Sequence, residues 1–191
     1  MFGGCRVSFW LALLAAAAVA GYGIQIYNHL VRLRNASEGA WSDIDVQLKR
    51  RCELVPNLVE TVKGYATHEA GTLERVVQAR GSALGARELG ERAAAEGALS
   101  KAIGSLLALA EAYPDLEADQ AFLALQRELA SLEESIQNAR RYYNALVRDL
   151  NTSCEAFPSN LVADRFGFRP RGYFELDSAA ERQAPAVRFG S

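Results

Sequence analysis

Apolar residues recur at three- and four-residue steps along two long stretches of the chain, and both predict helix. In the first, Trp41, Ile44, Leu48, Val55, Leu58, Val62 and Tyr65 form one stripe, while Asp43, Asp45, Lys49, Arg50, Glu53, Glu60 and Lys63 fall off it. Arg51 is the single break in that stripe. In the second, from Leu116 to about Cys154, the residues Phe122, Leu125, Leu129, Leu132, Ile136, Ala139, Tyr143, Leu146 and Leu150 repeat as a heptad seam. Glu128, Glu133, Glu134, Arg140, Arg141 and Arg148 lie outside it. Each long helix should measure about 55–60 Å at 1.5 Å per residue, so the two can pack side by side. Weaker stripes predict helix from Thr72 to about Leu84, through Leu73, Val76, Val77 and Ala83, and from about Glu91 to Ala112, through Leu99, Ile103, Leu106 and Ala110.

Prolines and glycines punctuate this pattern. Pro56 falls inside the first stripe. Val55 is a poor N-cap, so the spacing favours a kinked continuous helix over a fresh start, with the end at Gly64 or Gly71. Gly81, Gly85 and Gly90 bracket a turn. Pro114 closes one helix or opens the next.

Ahead of the first stripe, no charged residue occurs from Val7 to Val31. That is enough to cross a bilayer as a helix, which takes about 20 apolar residues. Trp10, Tyr22 and Tyr27 stand near its ends, where amphipathic rings favour the interface. Arg6 and the small residues Ala18-Val19-Ala20 also fit a cleavable signal peptide, but the run exceeds the usual apolar core of one. A retained anchor over residues 7–27 is therefore expected, with no proline to separate it from the bundle helix. Arg32, Arg34, Lys49, Arg50 and Arg51 outnumber Arg6, which places the domain after the anchor in the cytoplasm by the positive-inside rule.

Composition narrows the chemistry. The 191 residues suit one domain plus the anchor, and the net charge of −2 mixes both signs, so no basic face for nucleic acid is indicated. Cys5, Cys52 and Cys154 form neither a CxxC pair nor a ligand cluster. A di-metal carboxylate bundle needs Glu three residues before each His, yet Ile26 precedes His29 and Tyr65 precedes His68 in those places. His68-Glu69 has the look of a phosphoacceptor without the nucleotide-binding motifs that would feed it. Asp43 and Asp45, two residues apart, point in different directions on a helix. No catalytic, metal or cofactor site is expected.

Two features remain. Arg51 on an apolar stripe must find an acid, with Glu133 and Glu134 as candidates, and together with Arg140, Tyr143 and Asn144 it makes a candidate interaction or structural network. After residue 156 come Phe157, Phe166, Phe168 and Phe174, whose exposure would forgo roughly 1.5–3 kcal/mol each. Residues 157–175 are expected to be a strap packed on the bundle, and 165–171 to be an extended strap or loop. The phenylalanines Phe166 and Phe168 would clamp it, while Arg165, Arg169 and Arg171 stay in water, where they meet acidic side chains or, at the bundle end nearest the bilayer, anionic head groups.

The wording IDVQLKRR, then LVPNLVETVKGYA and His68-Glu69, closely resembles the LemA family of membrane-anchored helical proteins. Tyr113-Pro114-Asp115-Leu116, Ala139 to Asn144, Phe157 to Ala163, Phe166-Gly167-Phe168 and Tyr173-Phe174-Glu175 continue the likeness, while Gly and Ala enrichment around residues 81 to 97 departs from it. The resemblance implies a single N-terminal span and an antiparallel bundle of long helices, with no settled biochemical activity. Occurrence of family members near genes for membrane zinc metalloproteases adds a regulator or adaptor of such an enzyme as the alternative role.

The reading is thus an all-α protein: an N-terminal transmembrane helix followed by an elongated antiparallel bundle of three to four long helices. Residues 1–6 form a short tail, 7–27 the anchor, 28–156 the bundle, 157–175 the strap and 176–191 a flexible tail. The expected role is a non-enzymatic interaction or scaffold module at the cell membrane. Its partners are the bilayer, through residues 7–27, and either a second copy of the chain or another membrane protein.

Overall fold

The first stripe becomes one helix. In the computed structural model, which describes residues 3–66 and 68–175, α1 runs unbroken from Gly3 to Lys63 with Pro56 in its interior. Residues 3–6, expected as a tail, already belong to it, and the tail expected over 176–191 lies outside the described residues. Then follow α2 (Ala70–Gly85), α3 (Leu89–Ala110), the single turn α4 (Pro114–Glu117), α5 (Gln120–Glu155) and α6 (Ser159–Phe166). No strand occurs among the described residues, and the protein is all-helical.

Local chemistry sets these boundaries. Pro114 opens α4 at its first position, where its missing N–H would have had no helical partner. Asp119 caps α5: its Oδ1 accepts the amides of Ala121 and Phe122 at 2.8 and 2.9 Å. The Phe122 amide, followed by the Tyr65 hydroxyl, holds the Asp119 carboxyl below its ordinary pKa. α6 lies within the strap region 157–175, and its last two residues fall in the stretch 165–171 expected as an extended strap or loop. Eight residues fit between Pro158 and Gly167, and Gly167 stops the helix at φ +74°, a left-handed conformation that glycine adopts without strain. The Phe168 amide then returns to the Ala163 carbonyl at 2.9 Å, which turns the Phe168 ring inward.

The chain forms two compact units. Within the described residues, the first comprises 3–42 and 141–173. Its core gathers Leu30, Leu150, Ala163 and Phe168, with Ile26, Val162 and Cys154 around them. Trp41 packs on Tyr143 with ring centroids 5.6 Å apart. Since residue 41 faces 143 and residue 30 faces 150, α1 and α5 run antiparallel here.

The second unit comprises 43–140 and the described residues 174–175. Val55, Leu58 and Val62 of α1 meet Val76 of α2, Leu99 and Leu106 of α3, and Phe122 and Leu129 of α5. Arg51 reaches Glu133, and the Tyr65 hydroxyl donates to Asp119 at 3.0 Å, so α1 and α5 are antiparallel in this unit as well. Phe122, Leu129, Leu132, Ile136, Tyr143 and Leu150 of the α5 seam are buried, Leu125, Ala139 and Leu146 are half-buried, and Val147, beside the seam, is fully buried. Val77 turns out exposed, because the buried face of α2 runs Leu73, Val76, Ala83.

Ile136 has no exposed surface. Ile136→Ala should therefore destabilise the protein by about 2–5 kcal/mol, through lost burial and the cavity left behind. Val77→Ala should stay within about 0.5 kcal/mol. Urea titration of the full chain in detergent reads both; equal shifts would contradict the assigned faces.

Residues 9–22 of α1 are all exposed. Its most apolar 18 residues have a mean hydropathy of 1.8, and none of them is buried. α3 is nearly as apolar, with mean hydropathy 1.2, but it turns Leu99, Ile103 and Leu106 into the core of the second unit.

Candidate functional site

The break in the first stripe is the centre of the second unit. Arg51 is 1 % exposed, and two further helices supply its partners. Its Nη2 donates to Glu96 Oε2 of α3 at 2.5 Å and to the Glu96 carbonyl at 3.3 Å. Its Nη1 donates to Glu133 Oε2 of α5 and to Ser100 Oγ of α3, both at 2.6 Å. Glu96 is as buried as Arg51, whereas the Glu133 side chain keeps 35 % of its surface in solvent. One guanidinium against two carboxylates leaves the site negative at its open end. A planar cation with a fork of donors suits this three-way arrangement, which a lysine could not bridge.

One turn further along α1, Pro56 creates a second polar problem. Without an N–H it cannot donate to the carbonyl of Cys52, four residues earlier. Arg80 of α2 supplies the missing donor: its Nε reaches Cys52 O at 2.8 Å. The helix thus stays continuous through a proline because a neighbouring helix completes its hydrogen bonding. Arg80→Leu should leave a buried carbonyl unpaired and cost about 1–3 kcal/mol. The same substitution in a Pro56→Ala background, where residue 56 regains its N–H, should cost much less. A double-mutant cycle by urea titration measures the difference, and additive effects would contradict this account.

Flanking contacts are ordinary surface electrostatics. Asp45 pairs with Arg92 and, at 2.6 Å, with Lys49. Partial burial pushes the Asp45 carboxyl up, but Lys49 and Arg92 outweigh it and hold its pKa below the usual value. Cys52 and Cys154 are free thiols. Burial pushes both up in pKa, which disfavours the reactive thiolate. Among the described residues no three His, Cys, Asp or Glu side chains converge as a metal site would require.

Beside the triad a groove of about 420 Å³ opens between α3 and α5. Ile103, Leu107 and Leu129 form its apolar walls, Gly104 and Ala130 give it width, and Arg51 and Glu133 line its polar end.

The residues singled out by sequence divide between the two units. Arg51 and Arg140 belong to the second. There Arg140 lies 5.8 Å over the ring of Phe174, which is fully buried. Tyr143 and Asn144 belong to the first, where the Tyr143 hydroxyl donates to the Gly172 carbonyl at 3.0 Å.

The strap residues also separate. Phe168 is buried, while Phe166 and Phe157 are 60 % and 80 % exposed. Arg165 lies 5.9 Å over the Phe166 ring, and Arg169 makes an exposed pair with Asp164 at 3.9 Å. Arg171 is partly exposed and meets an acid: its guanidinium joins Glu38 and Ser37 of α1. Its backbone is clasped by Asn151, which accepts the Arg171 amide at 2.8 Å and donates to the Arg171 carbonyl at 2.9 Å.

Glu96 and Arg80 escape a reading of the sequence, although both leave a signal there. Stepping three places back from Leu99 lands on Glu96, an acid on an apolar face opposite the Arg51 break. Arg80 falls between Val76 and Ala83 on the buried face of α2, and Pro56 marks in advance which carbonyl needs a donor.

An apolar helix that continues unbroken into a bundle keyed by a buried ion triad defines a membrane-associated helical protein. Residues 40–189 match the LemA family, and the chain belongs to it. It is similar to Magnetosome protein MamQ 2 of Paramagnetospirillum magneticum, 23 % identical over 90 % of this chain and 72 % of that protein. It is also similar to Protein LemA of Metamycoplasma hominis, 29 % identical over 72 % of this chain and 64 % of that protein. A third relative, Magnetosome protein MamQ of Magnetospirillum gryphiswaldense, is 24 % identical over 81 % of this chain and 66 % of that protein.

Proposed function

We propose that the protein is a single-pass, membrane-tethered interaction module without catalytic activity of its own, its bundle held at the cytoplasmic face. The observation that carries this reading is the uncovered apolar part of α1, which continues as one helix into the charged bundle. Phe9, Trp10, Leu11, Leu13 and Leu14 are all more than half exposed, and burial in hydrocarbon stabilises such side chains by roughly 1.5–3 kcal/mol each. Arg32 and Arg34, directly after the run, favour the cytoplasmic side for the bundle.

The α3–α5 groove is the part of the bundle suited to a partner. Its apolar walls take a hydrophobic side chain, and the outward carboxylate of Glu133 favours a neighbouring lysine or arginine on the same segment. A photocrosslinking residue at Leu107, activated in native membranes, tests this. The expected product is one discrete adduct whose mass identifies a second copy of the chain or another membrane protein. Gly104→Trp starts from a Cβ that meets nothing within 4 Å and projects its ring into the groove, and should abolish the adduct. An adduct unchanged by Gly104→Trp, or none at all, would sink the groove as the docking surface.

A further inference from the structure

The first unit holds a cleft that no contact within the chain explains. Ala20, Gly23, Ile24 and Tyr27 of α1 face Val162 and Phe166 of α6 across about 430 Å³ of wholly apolar space. The Tyr27 ring packs edge-on against Phe166 at 4.9 Å and Phe168 at 5.7 Å, so α6 is fixed beside this part of α1. The cleft floor is continuous with the uncharged run. At 1.5 Å per residue, about 30 Å of helix separates Val7 from Tyr27, which is the thickness of the hydrocarbon layer. Asn28, His29, Arg32 and Arg34 come directly after Tyr27. The cleft therefore lies where acyl chains give way to head groups.

The outer surface of α6 fits the same level. Leu161 and Phe166 are each 60 % exposed, and Phe157 just before the helix is 80 % exposed. Arg165 extends from the same short helix, with its guanidinium over the Phe166 ring. Apolar rings beside a basic side chain are what a helix lying in the bilayer interface presents. We infer that α6 is an interfacial helix and that the cleft between it and α1 holds an acyl chain of a membrane phospholipid. A Cβ at Gly23 would meet nothing within 4 Å, so a longer side chain placed there can enter the cleft. This inference rests on α1 being retained as the membrane span.

The full chain, reconstituted into phosphatidylcholine–phosphatidylglycerol vesicles with a phospholipid bearing a diazirine in one acyl chain, tests it. After irradiation, peptide mass spectrometry should find lipid adducts both on the anchor and on the α6 peptide carrying Val162 and Phe166. Gly23→Leu, which fills the cleft, should lose the α6 adducts and keep those on the anchor. Gly21→Leu, whose Cβ also meets nothing within 4 Å but which lies outside the cleft, should keep both. Val162→Phe fills the cleft from the other side and should repeat the loss. Label on the anchor with none on α6, or α6 adducts indifferent to both filling variants, would overturn the acyl-chain site while leaving the span intact. An unlabelled anchor would overturn the span and the cleft together.

Discussion

Arg51→Met is expected to destabilise the protein by about 3–5 kcal/mol, because it strands the Glu96 carboxylate in the core without a counter-charge. The single substitution removes all four of the hydrogen bonds that join α1 to α3 and α5 through the guanidinium. Arg51→Met combined with Glu96→Leu should recover most of that loss, since the remaining acid, Glu133, can turn its partly exposed carboxylate to water. Such behaviour is general for buried ion pairs, where breaking a pair is far worse than replacing it by packed apolar side chains. Urea titration of the full chain in detergent measures both variants. If the double variant is as unstable as the single one, packing of the Arg51 stem rather than charge balance dominates the site.

The same comparison bears on specificity. A single buried polar cluster in an otherwise apolar seam fixes which turns of neighbouring helices face one another. Shifting α5 by one residue would rotate Glu133 away from Arg51. We propose that the triad sets this register, a role separate from the net stability it adds.

The second large effect is expected at Phe174. Its ring is fully buried in the second unit and carries Arg140 above it. Phe174→Ala should lower stability by about 3–5 kcal/mol, as for other buried aromatic truncations. Phe157→Ala, at a residue 80 % exposed, should change it by no more than about 0.5 kcal/mol. Melting curves of the two variants in detergent separate the cases, and similar losses for both would mean that the region after α5 is held by other contacts.

Much of this architecture is legible in the chain because helix burial writes a period into it. The long stripes locate α1 and α5, and the sustained run from Phe122 to Leu150 needs little more than counting. Sequence and structure differ where period and geometry part company. Val77 and Val76 are adjacent, and only tertiary packing decides which of them turns inward. α6 is hidden because Pro158 and Gly167 look like helix breakers, whereas here one precedes a short helix and the other ends it.

The polar centre is half visible. Arg51 announces itself by interrupting an apolar stripe, and Glu133 is one of the two acids the pattern offers it. Glu96 does not stand out, since α3 is rich in small residues and its face is less marked. Arg171 reads as solvated because its neighbours in sequence are exposed. Its partners, Ser37 and Glu38, are over a hundred residues away, and no local pattern connects them.

On the proposed function, the apolar run of α1 is retained in the membrane and continues as one helix into the bundle. Intact mass of the protein extracted from membranes, after an alkaline carbonate wash, decides this. A carbonate-resistant protein whose mass includes residues 1–20 is expected. A mass matching a chain that begins at Gly21, or release of the protein by carbonate, would contradict it.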